Sequence, residues 1–88
     1  MSSIGSHVAR VRILFGHCAD DVSRLALRNQ RFRVMCSDYG MTAETLDTLE
    51  RRHHPADAEK MNEYRALRRE LERTLEHELL ASSASSDD

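Results

Sequence analysis

Leu25, Phe32, Tyr39 and Leu46 stand seven residues apart, and Met35 and Leu49 each follow one of them by three. Cys36 and Ala43 lie beside the same line. Steps of three and four place side chains on one stripe of an α-helix and bury that stripe against another helix. A half-buried strand would need strict alternation, and none is present. A second stripe follows in Met61, Tyr64, Leu67, Leu71, Leu75 and Leu79. Between its members lie Glu, Arg, Lys and Asn, with no Pro or Gly to interrupt a helix.

The two stripes meet at His54-Pro55. Proline disfavours helical geometry in the residue before it and is tolerated in a first turn. The spacing therefore predicts two helices, about 20–53 and 56–80, with a join too short for anything but an antiparallel hairpin. Asp57 and Glu59 fall near the positive end of the second helix dipole, and Asp20 or Asp21 is a fitting N-cap for the first. Gly40 is a weak point, costing about 1 kcal/mol relative to Ala. The seven-residue step from Tyr39 to Leu46 still carries the helix across it, with room for a kink.

Charge is divided along the chain. Residues 1–33 hold six arginines against two aspartates, net +4, whereas residues 34–88 are net −6. In an antiparallel hairpin the Arg-rich start (Arg24, Arg28, Arg31, Arg33) comes level with the Glu-rich end (Glu70, Glu72, Glu76, Glu78). Exposed pairs of this kind are worth only about 0.2–1 kcal/mol each, so they set orientation more than stability.

The 88 residues allow one small domain. Residues 1–19 read as a flexible basic arm, 20–81 as the hairpin and 82–88 as a disordered Ser/Asp tail. The acid-free arm also has the composition of a docking segment or of a targeting peptide. Two cysteines, Cys18 and Cys36, make no secreted disulfide framework and read as reduced thiols of a cytoplasmic protein. No run of 18 apolar residues exists to span a membrane.

Leu27, Val34 and Met41 form another seven-residue line, about 200° around the helix from Leu25 at 100° per residue. A lone hairpin leaves that line in water. A two-helix seam is also a small core for some sixty ordered residues. Together these point to self-association into a dimer or four-helix bundle, or to another protein, through Leu27, Val34, Met41 and the Arg24–Arg28 flank. Arg10, Arg12, Arg24, Arg28 and Arg31 are the alternative, as phosphate contacts in nucleic-acid binding. The formal charge of −2 argues against it, as does the scarcity of aromatic residues near those arginines.

Catalytic and metal chemistry find no constellation. The histidines (His7, His17, His53, His54, His77) include no i, i+4 pair, and there is no C-x-x-C. Cys36 lies on the core stripe, away from any positioned base. No enzyme activity, cofactor or metal is expected.

The run Leu25…Arg31-Phe32…Met35…Asp38-Tyr39…Leu46…Leu49-Glu50, followed by Tyr64-Arg65-Ala66-Leu67-Arg68-Arg69-Glu70-Leu71, resembles the YdcH-like family of small bacterial proteins. The resemblance covers about residues 20–80. Met35 stands where that family has Leu, Gly40 follows the Tyr, and Arg replaces Lys in the second helix. It implies a bacterial cytoplasmic protein with a two-helix fold and no assigned activity, and it carries over no catalytic residue.

Overall fold

The computed structural model describes residues 3–85. Among them are four α-helices: α1 (Ser3–Leu14), α2 (Ala19–Arg28), α3 (Gln30–Arg52) and α4 (Ala58–Ser85). Single 3₁₀ turns at Gly16–Cys18 and Pro55–Asp57 join α1 to α2 and α3 to α4. The protein is therefore all-α, but it has four helices where two were expected.

The first difference lies at the N-terminus. Most of the stretch expected as a loose arm is α1, packed along α3. Val8, Val11 and Phe15 step by three and four, and all three join the core with Val22, Leu25, Phe32, Cys36, Tyr39, Leu75 and Leu79. Two further contacts bind α1 to α3: Arg10 lies 3.8 Å from Asp47, and His7 Nε2 lies 3.4 Å from Glu44 Oε2.

The second difference is a break at Asn29, which divides the expected first helix into α2 and α3. Asn29 is extended (φ −126°, ψ 104°), and its side-chain oxygen accepts from the Phe32 N–H at 3.0 Å, capping α3. Arg33 reaches back and donates to the carbonyls of Ala26 at 2.7 Å and Leu27 at 3.3 Å. Those carbonyls sit in the last turn of α2, where no intrahelical N–H remains for them. A good N-cap residue and an arginine four positions on thus satisfy both helix ends at the break.

Gly40 neither breaks nor kinks a boundary into α3, which runs unbroken from Gln30 to Arg52. Its role is steric. A Cβ built there would meet the His7 imidazole and come within 2.7 Å of His7 Cβ. The missing side chain lets α1 approach α3 and bury His7, which is only 2% exposed. Neither ring nitrogen has an aligned hydrogen-bond partner among the described residues.

At the hairpin turn His53 takes the left-handed conformation (φ 50°) and ends α3. His54 Nδ1 accepts from the Ala56 N–H at 3.2 Å, and Arg52 pairs with Asp57 at 3.2 Å. α3 and α4 then run antiparallel, as the cross-links Glu50–Arg65 (3.2 Å) and Tyr39–Glu72 (3.2 Å) record. Residues 82–85 of the expected disordered tail belong to α4, and 86–88 lie outside the described residues.

Candidate interaction face

α3 has neighbours on two sides. α1 covers the side of Gly40, and α4 covers the side of Tyr39. Its remaining side carries Arg31, Val34, Asp38, Met41 and Thr45, in steps of three and four. Val34 and Met41 are 52% and 51% exposed, and Leu67 on α4 is 41% exposed. Leu67, read from sequence as a seam residue, therefore stands at the rim of the hairpin. Between α3 and α4 on this side runs a cleft of about 310 Å³, lined by Asp38, Met41, Thr42, Thr45, Tyr64, Leu67 and Leu71.

Leu27 is 82% exposed, but it belongs to α2. The break at Asn29 removes it from the straight line with Val34 and Met41 that an unbroken helix would have drawn. The arginine flank is engaged within the chain. Arg24 pairs with Asp21 at 2.8 Å, Arg28 donates to Ser82 Oγ at 3.1 Å, and Arg33 caps α2. The expected cross-hairpin pairing of these arginines with Glu70, Glu72, Glu76 and Glu78 does not occur among the described residues. Glu72 instead accepts from the Tyr39 hydroxyl.

The two thiols are poorly suited to nucleophilic work. Burial pushes Cys36 up to about 11. Cys18 is also raised, by desolvation first and by the charge of Asp21 second. Both are free and pack in or against the core. Among the described residues no three His, Cys, Asp or Glu side chains are grouped to hold a metal ion. None of the described helices is long and apolar enough to cross a membrane.

The structural roles of Asn29, Arg33 and His7 escaped the sequence reading. Asn29 carried a signal, since Asn is among the favoured N-caps, but the apolar period ran straight over it. His7 carried none, because its role depends on a glycine 33 positions away. Compared with protein-family models, with curated proteins and with solved structures, the chain matches none of them.

Proposed function

We propose that this protein is a small non-enzymatic helical module for protein–protein interaction or oligomerisation, working in the cytoplasm as an accessory or regulatory subunit. The observation that carries this reading is the third side of α3. Two other sides of that helix are filled, yet Val34 and Met41 stay half in water, with Leu67 lining the same cleft as Met41. Burying a fully exposed side chain of this size contributes about 1.5–3 kcal/mol, and covering these half-buried ones roughly half of that, so a partner gains affinity without reorganising the core. Nucleic-acid binding is the weaker reading. Of the arginines it would use, Arg10, Arg24 and Arg28 already contact Asp47, Asp21 and Ser82.

The test is a photo-reactive amino acid placed at Met41 in the full chain within cells, with a control at the exposed Glu76 on α4. Protein adducts specific to position 41 are the expected result. Adducts to nucleic acid, or the same background at both positions, would sink the proposal.

A further inference from the structure

We propose that a second copy of this chain covers the open side of α3, the two α3 helices running antiparallel with Arg31 of each copy beside Asp38 of the other. This rests on the reading of that face as a protein interface, and it names the occupant. The line Arg31, Val34, Asp38, Met41, Thr45 has the three–four spacing of a coiled-coil seam. Two of its members are charged, with opposite signs. Both side chains are exposed, and neither has a hydrogen-bond or ion-pair partner among the described residues. Seven residues separate them, about 10 Å along the helix, so they do not pair with each other.

A second copy resolves both charges at once. Laid antiparallel, the order Arg31–Val34–Asp38 meets its own reverse. A two-fold axis passing near Val34 then brings each Arg31 against the opposite Asp38. The contact is isologous, so the ion pair forms twice. An in-register parallel pairing would set Arg on Arg and Asp on Asp, which charge repulsion opposes. Val34 of each copy meets across the axis, and Met41, seven residues farther along, falls opposite the end of α2 in the other copy.

The experiment is charge exchange, read as solution mass by sedimentation and light scattering over a range of concentration. The intact chain should form a dimer. Asp38→Arg and Arg31→Asp should each weaken it at least tenfold, and the double exchange should restore most of the loss. Both residues lie outside the core, and far-UV circular dichroism on each variant verifies that the fold is kept. A monomer at every concentration, a dimer indifferent to the single reversals, or a double exchange without recovery would overturn the proposal. The position-41 adducts separate its failure from that of the broader reading. An adduct of two identical chains supports the second copy. An adduct with a different protein keeps the interaction module and removes the dimer, and no adduct removes both.

Discussion

A methyl group added at Gly40 has two opposing effects. In an isolated helix Gly→Ala is favourable by about 1 kcal/mol. Here the new Cβ collides with His7, and overpacking of this kind costs about 1–3 kcal/mol. Because the colliding group includes His7 Cβ, rotating the ring does not relieve it. Gly40→Ala should therefore lower stability in urea titrations, with most of the loss vanishing in a His7→Gly background, since alanine at position 7 would keep the Cβ that lies within 2.7 Å. A gain in stability from Gly40→Ala alone would show that α1 does not seat on α3 as described. The cysteines belong to the same scale. Cys36 keeps its thiol protonated by burial, so at neutral pH it presents little thiolate to an alkylating reagent.

Among the elements, the boundary between α2 and α3 is closed by two side chains. Asn29 caps one side and Arg33 closes the other. Replacing Asn29 with Ala removes the acceptor for the Phe32 N–H and should cost about 1 kcal/mol, whereas Asn29→Asp retains it. Thermal melts of the two variants make the comparison, and equal losses would contradict the capping role. The hairpin of α3 and α4 was legible from apolar spacing and from Pro55, because both signals are local. The break was not, because the seven-residue period of Leu25 and Phe32 continues across it in sequence. Both side chains are buried on either side of the bend. α1 was missed for a different reason. Its apolar residues are few and lie among arginines, and the surface that buries them comes from a helix far along the chain. The open face was half legible. Val34 and Met41 were found by counting residues, while the exposure of Leu67 required knowing which side of the hairpin it faces.

For the molecule as a whole, the core cluster draws on all four helices, and Cys36 and Tyr39 lie within it. Both groups hold their protons more tightly in the folded chain. Cys36 moves from 9.0 to about 11 through burial. Tyr39 is raised above 10.0 by burial and by Glu72, against smaller lowering effects of Arg68 and Arg10. The unfolded chain therefore releases protons first as pH rises. Stability should be insensitive to these groups below about pH 9, fall through the window up to about pH 11, and level off beyond it for the thiol. The thiol's share is on the order of 2 kcal/mol. Urea midpoints measured across that range should show the decline, and Cys36→Ala should flatten it. An unchanged slope in that variant would place the titration elsewhere.

The notch at Gly40 also fixes alignment. Helices packed along a uniform surface can slide by one turn with little penalty. α3 offers one glycine, and His7 is among the largest fully buried side chains of the described residues. A slide of one turn would set the imidazole over Cys36 or Glu44, both of which carry a Cβ where Gly40 has none. The pair works as a key in a slot, admitting a single seating of α1 and rejecting its nearest neighbours. Selectivity among alternative packings, more than added binding strength, is what the chain obtains from keeping a glycine in the middle of α3.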